Sequence, residues 1–86
     1  MTSAPTVEQV VAILTRIAGP GRSPGDPGRE TPLVEGGFWL DSVHLLETVL
    51  ACEEAFGVIF DPGDFSDDTM RTVGTLVDRI RAKRTG

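Results

Sequence analysis

Between Gly19 and Gly37 the chain places six of its ten glycines and four of its six prolines. No regular helix or strand survives that density of breakers, since glycine raises the entropic cost of ordering and proline removes backbone donors. The fold must therefore be assembled from a short segment before this stretch and a longer one after it. The connection is a nineteen-residue loop, and structureless loops beyond ~12–15 residues in compact domains are usually functional or mobile. With 86 residues there is room for a single domain, 1–86, whose core is expected over about residues 6–83. Cys52 is the one cysteine, so no internal disulfide closes this core and apolar packing must do it alone.

Charge divides the chain into three blocks. Residues 30–70 contain ten acids and no lysine or arginine, whereas 1–29 are close to neutral and 71–86 are basic. The overall net charge of −5 makes a polyanion a poor partner and argues against nucleic acid. The acidic block is not a disordered tail, because it also carries Phe38, Trp39, Leu45, Leu46, Val49, Leu50, Phe56, Ile59 and Phe60. It reads as a folded acidic element, suited to docking a basic partner. The longest apolar run, Val10 to Leu14, is five residues, against the ~20 that a membrane helix needs. The opening residues lack the basic start and apolar stretch of a signal peptide. A monomeric cytoplasmic protein without membrane association is the expectation; Met1 suggests a free-standing product, with a domain excised from a longer chain as the alternative.

Three segments have helical periodicity. Val7, Val10, Val11, Leu14, Ile17 and Ala18 form a stripe at i, i+3, i+4 spacing, with Thr6 and Gln9 as a capping box and Gly19–Pro20 as the stop. A second helix runs from about Asp41 to Phe56, with Leu45, Leu46, Val49, Cys52 and Phe56 inward and His44, Glu47, Thr48, Ala51 and Glu54 outward; Gly57 follows it. The third begins near Thr72, with Val73, Leu76, Val77 and Ile80 as its stripe and a basic final turn. Asp61-Pro62-Gly63-Asp64 is a turn sequence, and a short helical turn over Asp64–Asp67 with Phe65 facing in is expected after it. Leu33 and Val34 are candidates to pin the later part of the long loop. The fold expected is all-α: a small four-helix bundle of three main helices and one short one.

Three groups of residues bear on chemistry. Asp41-Ser42-Val43-His44 contains the letters of a catalytic triad, but on a helix Ser42 and His44 lie roughly 200° apart and the imidazole does not reach the hydroxyl. No nucleophile elbow accompanies it, so an enzyme is not expected. Asp61, Asp64, Asp67 and Asp68 fail the calcium-loop pattern: Ser66 stands where a glycine is needed and Thr72 where a glutamate is needed. Helix capping is the plainer use of those aspartates, and no metal site is expected. The third is Ser42, preceded by Asp41. Asp41 as an ordinary N-cap accounts for the pair by itself.

The frame around that pair is more specific: Asp41-Ser42-Val43-x-x-Leu46-Glu47, then Glu53-Glu54-x-Phe56, then a turn with Ile59, then Thr72-Val73 opening a last helix. This frame resembles the acyl carrier protein family from Leu33 to Ile80, and the first helix fits in position and length. The resemblance implies that Ser42 accepts 4′-phosphopantetheine from coenzyme A, with Asp41 as the acidic residue before it and Val43 beside the base of the arm. It implies partner docking through Glu47, Glu53, Glu54 and Leu50, with His44 on the same helix. Its partners would be a phosphopantetheinyl transferase and an acyl-loading enzyme, ketosynthase or other acyl-processing enzyme with a basic docking patch.

Two departures bear on the pathway. Trp39 stands where the family usually has glycine, and His44 where fatty-acid carriers often have an acid. With the Gly/Pro-rich loop they point to a discrete carrier of bacterial polyketide or related secondary-metabolite biosynthesis. Seven arginines to one lysine and no asparagine fit a high-GC bacterial genome. The alternatives are a peptidyl or aminoacyl carrier, against which Leu40-Asp41-Ser42 speaks, and an unmodified carrier-like interaction module.

Overall fold

Thr6 Oγ1 accepts the Gln9 N–H at 3.2 Å and Gln9 Oε1 accepts the Thr6 N–H at 3.1 Å. The first helix, α1 (Val7–Ala18), thus begins with the reciprocal cap its sequence predicts. The structure, a computed structural model, describes residues 5–19 and 21–85. Gly19 closes α1 at φ 86°, its N–H donating to Thr15 O; Pro20, the other half of the expected stop, and Met1 lie outside the described residues. The second helix, α2 (Ser42–Phe56), starts after Asp41 and ends at Gly57, which takes the left-handed conformation (φ 68°, ψ 37°) that glycine adopts without steric cost. The third, α3 (Val73–Thr85), follows Thr72. Thr72 Oγ1 accepts the Thr75 N–H and Thr75 Oγ1 accepts the Thr72 N–H, a threonine version of the same reciprocal cap.

The regular structure among the described residues is therefore three α-helices, without a strand. The expected fourth helix is reduced to a single 3₁₀ turn at Pro62–Phe65, earlier than anticipated. Its facing is also corrected. Phe65 is 43% exposed, while Asp64 is buried. The reason is electrostatic: Lys83 and Arg79, near the end of α3, form ion pairs with Asp64 and draw its carboxylate inward.

One buried cluster joins all parts. Val10 and Leu14 of α1, Val49, Cys52 and Phe56 of α2, and Val73, Leu76, Val77 and Ile80 of α3 belong to it. Within α2 two inward and outward assignments are corrected. Leu46 is 50% exposed and Thr48 is fully buried. Thr48 tolerates burial because its hydroxyl donates to His44 O at 2.9 Å, which leaves no unsatisfied polar atom.

α1 packs against both α2 and α3, which barely meet each other. Side chains of the long loop join the core there: Leu33 and Phe38 are fully buried and Leu40 nearly so, whereas Val34 stays at the surface. From Gly28 onward this loop is tied down by backbone hydrogen bonds. Gly74 N–H donates to Arg29 O, Val73 N–H to Thr31 O, Leu33 N–H to Arg71 O, and Pro32 forms an isolated antiparallel bridge with Thr72. Two otherwise unpaired amides at the start of α3 are thereby satisfied. Gly74 permits the approach, since a Cβ there would stand 3.0 Å from Arg29 O. Gly37 is tighter still, with a Cβ falling 2.0 Å from Pro32 O.

Gly37→Ala is expected to destabilise the fold by at least about 1–3 kcal/mol, because backbone must move to admit the methyl group. Gly25→Ala, with nothing within 4 Å of its Cβ, is expected to be close to neutral. Urea unfolding of the two variants against the parent checks the contrast.

Candidate functional site

Asp41 fixes where the site begins. Its Oδ1 accepts the His44 N–H at 2.9 Å, satisfying one of the free amides of the first turn of α2. Ser42 is then the first residue of the helix, with its side chain exposed. No acidic residue lies in that first turn, so the positive end of the helix is offset only by the Asp41 cap. The His44 N–H holds the Asp41 carboxyl below the usual carboxylate range, and the nearby imidazole adds to the effect against an opposing push from desolvation. His44 Nδ1 lies 2.9 Å from Asp41 Oδ1 without the alignment of a hydrogen bond.

Ser42 lines a cleft of about 600 Å³ whose walls are mainly apolar. Leu45 and Leu46 face it from α2, Pro32 from the loop, and Phe65 and Met70 from the connection before α3, with Glu35, Asp67 and Arg71 among its charged lining. Periodicity alone does not reveal this cleft, because its walls come from segments without helical pattern.

The residues expected to dock partners divide in two. Leu50 is more than half exposed, as is Val43, the residue expected beside the base of the arm, and Glu47 and Glu54 are exposed with no ion-pair partner among the described residues. Leu46 belongs with them by exposure, although the sequence reading placed it inside. Val43, Leu46, Glu47, Leu50 and Glu54 follow i, i+3, i+4 spacing along one side of α2. Glu53 differs: its Oε2 accepts the Phe60 N–H at 2.8 Å, which ties the chain leaving α2 back onto the helix. His44 is half-buried.

Asp64 immediately precedes Phe65 of the cleft lining and is buried. Lys83 is ion-paired to both Asp64 and Asp61, Arg79 stands 3.5 Å from Asp64, and Asp64 Oδ2 accepts the Asp61 N–H at 2.7 Å. Burial pushes the Asp64 carboxyl upward, but the Lys83 hydrogen bond, the Asp61 N–H and the two cationic charges outweigh it and hold it below its usual range. The Lys83 ammonium is raised in return, chiefly by its hydrogen bond to Asp64. Cys52 is buried and desolvation pushes its thiol up to about 12, so it stays a neutral, unreactive core group. Among the described residues no cluster of three or more His, Cys, Asp or Glu side chains is placed to hold a metal ion, and no helix is long and apolar enough to cross a membrane. Comparison with known protein families, with curated proteins and with solved structures finds no match.

The lowered carboxyls at Asp41 and Asp64 stabilise the fold fully above the ordinary carboxylate value of 3.8, and this stabilisation is lost as pH falls through their depressed values. Lys83 has the opposite sign: its contribution is complete below 10.5 and is lost as pH rises through its raised value. Unfolding free energy measured by urea from pH 7 to pH 2 is expected to drop on the acid side, and to drop less steeply in Asp64→Asn. An unchanged acid slope in that variant contradicts the assignment.

Proposed function

We propose that the chain is an acyl-carrier-like protein that bears 4′-phosphopantetheine on Ser42 and presents thioester-bound intermediates to partner enzymes. The observation that supports this most is the position of Ser42: exposed, first in α2, behind the Asp41 cap and on the edge of the apolar cleft. The residues present fit such a group. A phosphodiester on Ser42 Oγ would stand by the free amides of the first helical turn, a favourable place for an anion. Leu45, Leu46, Phe65 and Met70 offer apolar surface beside it. When attached, the group supplies a thiol that carries acyl cargo as a thioester.

In the loading step Ser42 Oγ forms a bond to the phosphorus carrying the pantetheine arm of coenzyme A. The pyrophosphate bond to the nucleotide breaks, and the serine proton passes to a base of the transferase. Asp41 holds Ser42 at the helix start, and the exposed Val43, Glu47, Leu50 and Glu54 form a face for an enzyme with a basic patch and an apolar contact. Exposed charges favour fast, reversible encounter over tight binding, as a carrier visiting several enzymes requires. A polyketide or related secondary-metabolite pathway in a bacterial cytoplasm is the proposed setting, and an aminoacyl cargo is the neighbouring possibility.

Incubation with a phosphopantetheinyl transferase, magnesium and coenzyme A is expected to add the mass of one phosphopantetheine to the intact protein, and none to Ser42→Ala. No gain, or a gain that survives Ser42→Ala, rejects the modification. Partner binding that persists unmodified in Ser42→Ala would instead identify an interaction module. Glu47→Lys and Glu54→Lys are each expected to weaken association with the transferase. Added salt is expected to do the same, since exposed charges are screened over ~10 Å at 0.1 M. An affinity indifferent to both rejects docking through α2.

A further inference from the structure

Trp39 is the single non-glycine residue with positive φ (55°) among the described residues, a region that bulky side chains occupy only when their surroundings over-determine it. The surroundings do so. Phe38 N–H donates to Pro32 O, Trp39 N–H to Val34 O and Leu40 N–H to Leu33 O, all within 2.9–3.0 Å, and the flanking Phe38 and Leu40 side chains are buried. A glycine would hold this backbone without strain. The indole placed there instead is not sunk into the core; it is 58% exposed.

The exposed indole helps line a concavity of about 570 Å³, together with Gly37 and residues 21–24 of the loop. It is shallow and open to solvent, a shape that suits one face of a flat ligand. Two polar groups in its lining lack partners. Arg22 is exposed and makes no ion pair among the described residues. Ser23 Oγ is sealed from solvent and has no hydrogen-bond partner, an arrangement native structures rarely leave unexplained. Turning the Ser23 side chain toward a ligand would break no hydrogen bond, because it makes none. Arg22 is the one charged residue among those lining the concavity, so the groove is open to an anion although the chain as a whole carries −5.

We infer that the groove between residues 21–24 and Trp39 binds a planar aromatic group carrying a phosphate or carboxylate. The ring stacks on the indole, the anion pairs with the Arg22 guanidinium and Ser23 Oγ–H donates to it. This site does not depend on modification of Ser42. Two sources share the chemistry, the nucleotide portion of a coenzyme and a free aromatic acid.

Trp39 is the only tryptophan of the chain, so its fluorescence reports binding without a label. Titration of the intact protein with adenosine 3′,5′-bisphosphate and, separately, with 4-hydroxybenzoate is expected to give a saturable change with at least one of them. The one that saturates identifies the source. Arg22→Ala is expected to weaken that binding about tenfold or more, the loss of one charge-assisted hydrogen bond; Arg22 is exposed and unpaired, so folding is not at stake. Ser23→Ala is expected to weaken it by a smaller factor, and Ser42→Ala to leave it unchanged. Amide chemical-shift changes confined to residues 21–23, 37 and 39 would locate the ligand independently. No saturable change with either compound at millimolar concentration overturns the inference. So does an equal response in Arg22→Ala, or an equal response to adenosine or inorganic phosphate alone.

Discussion

The Asp64–Lys83 pair anchors the turn that carries Phe65, part of the cleft lining beside Ser42. Asp64 is the one buried charged side chain among the described residues, and it is reached from three directions: Lys83 and Arg79 from α3, and the Asp61 N–H from its own turn. A buried carboxylate without such partners would not be tolerated, because desolvation disfavours its charged form. With them, it draws the Pro62–Phe65 turn onto the end of α3 and leaves Phe65 outside. Lys83 also stands 5.7 Å from the centre of the Phe60 ring, so one ammonium gathers both ends of the turn. The segment that follows carries Met70, and with Phe65 it forms the far side of the cleft beside Ser42. A cleft of this kind needs a wall held at a distance from α2, and here an ion pair holds it.

The same pairing explains the charge left on the surface. Three of the five basic residues of the C-terminal block turn back onto aspartates, Arg71 to Asp68, Arg79 to Asp64 and Lys83 to Asp61 and Asp64, while Arg81 donates to Pro5 O and Arg29 reaches Asp78. None of these ion pairs involves α2. Glu47 and Glu54 are thereby left as unneutralised charge beside exposed Val43, Leu46 and Leu50. Local pairing has separated an acidic, partly apolar face from a region of internal charge balance, although the two are close in sequence.

Helix ends were legible from single residues, since Thr6, Gln9, Asp41, Gly57 and Thr72 each act through local chemistry. The stripe of α3 was equally legible, because all four of its apolar residues are fully buried. The faces of α2 were less so. That helix is apolar on most sides, and a pattern with Leu45, Leu46, Val49 and Leu50 does not say which leucine meets the core. The placement of Asp64 lay beyond the sequence for a different reason. Four aspartates sit in a short run, and the one that is buried is chosen by cations far along the chain. Ser42 is singled out by its frame in the sequence, whereas the cleft beside it, built from three separated segments, is not legible there.

The long loop turns out to be what positions Ser42. α2 and α3 barely meet, so neither helix fixes the other's N-terminus directly. The loop does so instead: residues 29–33 are hydrogen-bonded across the start of α3, and residues 38–40 are hydrogen-bonded back onto 32–34 before delivering Asp41. Gly74 and Gly37 are the two places where this path passes close to backbone, and neither tolerates a Cβ without movement. The glycines that looked like breakers are thus of two kinds. Those before Gly28 have no close neighbours, while Gly37 permits an approach that no Cβ allows; Gly74, at the start of α3, permits a tight contact with Arg29 O. The start of α2, and with it Ser42, is set by glycine contacts in the loop as much as by the helices it connects.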